Sequence, residues 1–134
     1  MIDAGLNDEA FVIRELNLQI SVCKLIKAIN KRIVKHSAYT LPTTELFEYI
    51  VSDKINNEAV AAMTLYRRNQ PIIIAHLGGA KRVIDGNHRL YRRKKDNCIS
   101  TEVIEVSPIN LRVFSEPFMS MHRRDQNNWE SLFE

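Results

Sequence analysis

The chain has 134 residues, 45% of them apolar and 26% charged, an ordinary globular composition at the length of one domain of about 100–150 residues. Four Gly and four Pro exclude a collagenous or low-complexity chain, and two cysteines, Cys23 and Cys98, are too few for a disulfide framework and form no Cys-x-x-Cys zinc pattern. No apolar run reaches the roughly 18–20 residues that span a bilayer, and Met1-Ile2-Asp3-Ala4-Gly5 shows no basic segment followed by an apolar core, so the expectation is a soluble protein of the cytoplasm.

Taken in chain order, Phe11-Val12-Ile13-Arg14-Glu15-Leu16 is short and rich in β-branched and apolar residues, which predicts a strand. Ile20, Cys23, Ile26, Ile29 and Ile33 recur at helical spacing, predicting a helix over 22–34 with Ser21 as its N-cap. Lys24, Lys27, Lys31, Arg32 and Lys35 fall mostly off that apolar stripe, as a surface helix requires. The segment 36–42 is expected as a connection. Thr43 or Thr44 then caps a short helix carrying Leu46, Phe47, Ile50 and Val51, and residues 52–57 break it. Asn57 is expected to cap a third helix over 58–68.

Pro71 ends what precedes it. Pro71-Ile72-Ile73-Ile74-Ala75-His76 is a continuous apolar run, the signature of a strand buried on both faces. Gly78-Gly79 makes a turn, and Lys81-Arg82-Val83-Ile84 is a second strand paired to the first as a hairpin. Asp85-Gly86-Asn87 breaks it, a helix runs over 88–95, and Asp96-Asn97 ends that helix. Residues 100–106 form a further strand, closed by Pro108. The tail, about 112–134, contains Phe114, Phe118, Met121, Trp129, Leu132 and Phe133, which predict one or two docking helices, with Trp129 and Phe133 as an anchor. The order of elements predicts an α/β (α+β) fold, a single domain over 1–134 in which a mixed sheet is flanked by helices.

The net charge is +3, and the excess is local: Lys81, Arg82, Arg89, Arg92, Arg93, Lys94 and Lys95 face one acid, Asp85, within that stretch. Such a cluster attracts phosphate, of a nucleotide or of a nucleic-acid backbone. Within it lies Arg82-Val83-Ile84-Asp85-Gly86-Asn87-His88-Arg89-Leu90, where a strand ends, a glycine turns the chain and a helix starts. A helix start carries unpaired amides and roughly half a positive charge. Gly86 lets an anion approach the backbone, while Asn87, His88 and Arg89 add side-chain donors. Asp85, at the end of the strand, is placed to take a proton or a divalent metal. Against this stands the plainer alternative that Asp-Gly is a common turn pair and Asn a common cap.

The segment from about Pro71 to Val106 resembles the N-terminal domain of the ParB/sulfiredoxin superfamily. The resemblance is carried by Pro71-Ile72-Ile73-Ile74, Gly78-Gly79, Val83-Ile84, Asp85-Gly86-Asn87-His88-Arg89 and the strand Thr101-Glu102-Val103-Ile104-Glu105-Val106. It implies a nucleotide or phosphate site on Gly86, Asn87, His88 and Arg89, with ATP or CTP and Mg²⁺ as cofactors. It also implies metal-dependent NTP hydrolysis or nuclease activity, with Asp85 and His88 as catalytic residues and Asp85 as metal ligand, or transfer of a phosphoryl group as in the small-molecule kinases of this fold. Sulfiredoxin chemistry is disfavoured, because Asn87 stands where that enzyme needs cysteine. Small stand-alone ParB-like chains resemble plasmid and phage accessory proteins.

A reading of another class is a non-catalytic module in which the helix at 88–95 contacts nucleic acid or an acidic protein through Arg92, Arg93, Lys94 and Lys95. Weaker candidates are His76 at a strand end, Glu45 and Glu48 as bases, Tyr91 as a stacking ring, and His122-Arg123-Arg124 as added charge. Core packing or solvent exposure is the favoured explanation for these, and for Tyr91 core packing is at least as good a reading.

Overall fold

The structure, a computed structural model, describes residues 10–50 and 55–134. The expected helix residue Val51 and the break at Ser52-Asp53-Lys54 lie outside the described residues, as does the N-terminal segment 1–9. The first half runs β1 (Ala10–Ile13), β2 (Leu18–Ser21), α1 (Val22–Asn30), β3 (His36–Pro42), α2 (Thr43–Leu46), α3 (Asn57–Ala62) and α4 (Leu65–Arg68). The second half runs β4 (Ile72–Leu77), β5 (Ala80–Asp85), α5 (Asn87–Lys95), β6 (Ser100–Val106), α6 (Pro108–Leu111), β7 (Ser115–Pro117) and α7 (Gln126–Glu130). The fold is mixed α/β with two sheets, one antiparallel in the order β1-β2-β7 and one mixed in the order β3-β6-β4-β5. The chain divides into two compact units, residues 1–36, 76–80 and 106–134 in one, 37–75 and 81–105 in the other.

The second unit holds the segment 81–95. Its core is Leu46, Ile72, Ile74, Val83, Leu90 and Val103, with Tyr39, Leu41, Phe47, Tyr49 and Ile50 packed against it. Ile72, Ile73, Ile74 and Ala75 of β4 are fully buried, which explains their unbroken apolar run. Each of these isoleucines contributes about 1.5–3 kcal/mol of burial. Gly78 and Gly79 both have positive φ, +60° and +82°. That pair of left-handed residues is what a two-residue hairpin turn with the correct twist requires, and it joins β4 to β5 as expected.

Strand β3 corrects the reading of 36–42 as a connection. It is an edge strand with alternating exposure, and Tyr39 and Leu41 are the side chains that turn inward. Pro42 is tolerated because it stands at the end of an edge strand. The expected helix over 58–68 is two short helices. Asn56, not Asn57, caps α3 by accepting from the amide of Ala59. Met63 is extended, and Thr64 caps α4 by accepting from the amide of Arg67. Thr43 and Thr44 likewise lie inside α2 rather than capping it, and the buried hydroxyl of Thr43 sits 2.8 Å from that of Thr101.

The first unit is built on a hairpin that the sequence reading merged into one strand and a helix. After β1 the chain makes a 3-10 turn over Arg14–Leu16, and Asn17 takes the left-handed conformation at φ 50°. The chain then returns antiparallel as β2, so that Ile13 stands opposite Leu18 and Phe11 opposite Ile20. Helix α1 starts at Val22, with Ser21 in the N-cap position but making no side-chain cap. It ends at Asn30, short of the expected 34, with Arg32 left-handed at φ 59°. The amides of Arg32 and Ile33 close back on the carbonyls of Ile29 and Ala28, a Schellman closure normally made with glycine. In the tail Pro108 opens α6 rather than merely ending β6, and β7 adds a third strand beside β2. Trp129 and Phe133 are buried and meet edge-to-face, as the anchor reading expected.

Candidate functional site

Strand β5 ends at Asp85 and α5 begins at Asn87, with Gly86 between them at φ +107°. The first helical hydrogen bond runs from the Leu90 amide to the Gly86 carbonyl at 2.9 Å. The amides of Asn87, His88 and Arg89 therefore have no acceptor within the helix. The glycine is required for a second reason. A Cβ at Gly86 would lie 2.5 Å from Ile72 Cδ1 and 3.0 Å from Arg89 Nη2.

Arg89, expected as a donor beside His88, folds inward instead. Its Nη2 donates to Asp85 Oδ2 at 2.9 Å and to the Pro71 carbonyl at 2.8 Å. The residue is 2% exposed, and its Nε has no hydrogen-bond partner among the described residues. Asn87 is also buried, with Oδ1 unpartnered. His88 is half-buried, and its Nε2 accepts from the Asn56 amide at 3.2 Å, which leaves Nδ1–H as the donor of the neutral ring. The start of α5 thus combines three main-chain amides without helical acceptors, an imidazole, and two buried polar atoms without partners among the described residues.

Asp85 does not present a free carboxylate, since Arg89 holds it. Among the described residues no group of three His, Cys, Asp or Glu side chains could hold a metal ion. Mg²⁺ takes one or two carboxylates in near-octahedral geometry, and an Asp85 already bridged to a guanidinium does not fit that role.

The rest of α5 also differs from an open cationic face. Arg92 donates through Nη1 to the carbonyls of Val60 at 3.0 Å, Ala61 at 3.2 Å and Met63 at 2.8 Å, and through Nε to Asp96 at 2.8 Å. It therefore holds the last turn of α3, where the Val60 carbonyl also accepts from the Met63 amide. Arg93 donates to Thr101 Oγ1 at 2.9 Å, the Ser100 carbonyl at 2.7 Å and Asn69 Oδ1 at 3.1 Å. Both guanidiniums, expected as nucleic-acid contacts, are thus engaged by protein oxygens. Lys94 and Lys95 are exposed, and Lys94 Nζ lies 4.5 Å from the centroid of Phe47. Hydrogen bonds from Arg68 and Arg92 hold the Asp96 carboxyl below its usual range. The helix ends as expected, with Asn97 left-handed at φ 58°.

His76 is exposed on β4. Tyr91 packs edge-to-face on Phe47 with centroids 5.1 Å apart, and Glu45 accepts from Tyr49. Glu48 is exposed, and His122, Arg123 and Arg124 are exposed in the other unit.

Sequence reasoning missed a polar group on the sheet of the second unit. Tyr39 on β3 donates to Glu105 on β6, and Lys81 Nζ on β5 lies 3.9 Å from the same carboxylate. Burial first, then the hydrogen bond to Glu105, pushes the Tyr39 hydroxyl up to about 12. The alternation of Tyr39 and Leu41 was the signal available for this. No protein-family model, no curated protein and no solved structure matches the chain.

Proposed function

We propose that the corner at Gly86 is the phosphate site of a nucleotide-binding domain that acts by binding rather than by metal-dependent hydrolysis. The observation that carries this reading is a nine-residue helix starting behind a left-handed glycine, its first three amides without helical acceptors, beside two buried polar atoms, Asn87 Oδ1 and Arg89 Nε, that have no partner among the described residues. Buried polar groups in folded proteins almost always find a partner; Asn87 Oδ1, an acceptor, suits a hydroxyl or amino donor of a nucleotide rather than a phosphate oxygen, while Arg89 Nε belongs to a guanidinium turned inward to Asp85 and Pro71. The amides of Asn87, His88 and Arg89 suit phosphate oxygens, and His88 Nδ1–H adds a donor. The likeness of residues 71–106 to the ParB/sulfiredoxin superfamily points the same way.

The ion pair of Asp85 and Arg89 supports the corner from within, and no hydrolytic step is assigned to Asp85. Titration calorimetry of the full chain with ATP, CTP and GTP, each with Mg²⁺, tests the reading. Binding of at least one nucleotide is expected, weakened at least about tenfold by His88→Ala, as loss of a hydrogen bond to a charged group implies. Absence of heat and of any thermal shift at millimolar nucleotide overturns it.

A further inference from the structure

A second cationic stretch, free of acids in sequence, lies outside the site just described. From Asn17 to Thr44 the sequence contains no Asp or Glu, while Lys24, Lys27, Lys31, Arg32 and Lys35 all fall within it. All five are exposed, and none forms a salt bridge among the described residues. Lys24, Lys27 and Lys31 are spaced i, i+3, i+7 along α1 and its C-cap. That spacing stacks them on one face within about 60° of arc, roughly 4.5 and 6 Å apart along the axis. The opposite face is committed to the core, with Leu25, Ile26 and Ile29 at most 3% exposed. Strand β1, against which α1 packs, brings no acid, and Arg112 of the neighbouring 3-10 turn is neutralised by Glu130.

From this we infer that the α1 face is a sequence-independent binding surface for the phosphate backbone of duplex nucleic acid. A row of uncompensated ammonium groups gains by displacing the condensed counterions of a polyphosphate. Arg32 strengthens the case. It occupies the left-handed position of the Schellman closure, where glycine is the ordinary residue, so a cation sits where the backbone does not favour one. An anionic membrane is the rival partner. It is the poorer fit, because an interfacial helix must lay its apolar face into lipid, and that face of α1 is buried within its own unit. Ile33, 72% exposed between Arg32 and Lys35, is a lone apolar side chain and not a membrane face. The inference is independent of the nucleotide reading, which concerns the other unit.

Fluorescence anisotropy of a labelled random-sequence DNA duplex of about 20 base pairs, read with the full chain across a salt series, tests it. Binding is expected with a slope of log K against log salt near −4.5, from about five phosphate contacts at 0.9 each. Lys24→Gln/Lys27→Gln/Lys31→Gln should reduce that slope by about 3 and weaken low-salt binding at least tenfold. Lys94→Gln/Lys95→Gln on α5 should change neither. Unchanged binding by the triple variant overturns the inference, and so does loss of binding by the α5 variant alone. Binding of the parent chain to vesicles rich in phosphatidylglycerol but not to the duplex overturns it as well. Should the triple variant fail to fold by circular dichroism, the parent decides alone, a slope shallower than about −2 ruling the surface out.

Discussion

Asp85 and Arg89, four residues apart across the Gly86 turn, form an ion pair at 2.9 Å in which the guanidinium side chain is 3% exposed and the carboxylate 18%. Removing one partner strands the other charge, whereas removing both does not. Asp85→Ala is expected to cost about 2–4 kcal/mol in denaturant unfolding, and Arg89→Met a comparable amount. The double variant should cost less than the sum, with a coupling of about 1–3 kcal/mol. Strict additivity would show that the pair is incidental to the corner.

Gly86→Ala places a methyl group 2.5 Å from Ile72 Cδ1, on a residue whose φ is +107°. Backbone strain and overpacking act together, for an expected loss of about 2–5 kcal/mol. Gly79→Ala has no neighbour within 4 Å and carries backbone strain alone, at φ +82°. It should cost about 1–2 kcal/mol. Equal unfolding midpoints for the two variants would remove the packing role given to Gly86.

Arg92→Lys keeps the charge but replaces a planar fork by a single ammonium on a shorter reach. It cannot serve the Val60, Ala61 and Met63 carbonyls and Asp96 together, so a loss of about 1–3 kcal/mol is expected. Native-state hydrogen exchange should show the amides of α3 opening faster while those of β4 are unchanged. Uniform acceleration of both would mean that Arg92 supports the whole unit rather than α3.

Tyr39 gives a signature at high pH. Its hydroxyl is held near 12 in the folded chain, chiefly by burial and by its hydrogen bond to Glu105, against about 10 when unfolded. A raised folded value means that its contribution to stability is complete below about pH 10 and disappears as pH rises towards 12. Tyr39→Phe should remove the highest step of the ultraviolet tyrosine titration and flatten the stability loss across that window. At neutral pH it should cost about 0.5–1.5 kcal/mol for the lost hydrogen bond. A titration identical to the parent's would assign that step to another tyrosine.

The succession β4, glycine turn, β5, α5, β6 was legible because each piece carries a strong local cue. Ile72-Ile73-Ile74 announces a buried strand, Gly78-Gly79 a tight turn, and Asp96-Asn97 a helix end. Strands β2 and β3 were not legible. Leu18-Gln19-Ile20-Ser21 runs without a Gly or Pro into α1, and its separation from β1 depends on Asn17 adopting a left-handed conformation that asparagine tolerates but does not advertise. Strand β3 is mostly exposed at a sheet edge, so its apolar pattern shrinks to Tyr39 and Leu41. At the corner, the position of Gly86 and the start of α5 followed from the residues. The inward turn of Arg89 did not, although its i, i+4 spacing from Asp85 hinted at the pair. The same spacing in Arg92 and Asp96 marked the second ion pair. Nothing local showed that Arg92 would be saturated by carbonyls some thirty positions earlier.

Asn17 ties the two ends of its unit together. Its side chain donates to the Met119 carbonyl and accepts from the Met119 amide, at 2.9 and 2.7 Å. Its own carbonyl accepts from the Phe118 amide at 3.1 Å and from the Trp129 indole at 2.9 Å. Every one of these partners lies more than a hundred positions downstream. During synthesis the outer edge of β2 therefore waits, unpaired, until residues 115–117 have been made, whereas residues 37–105 leave the ribosome with their own apolar centre already complete. Such long-range closure is slow. The β1–β2 hairpin is consequently the segment through which a nascent or truncated chain is most exposed to pairing with a neighbour.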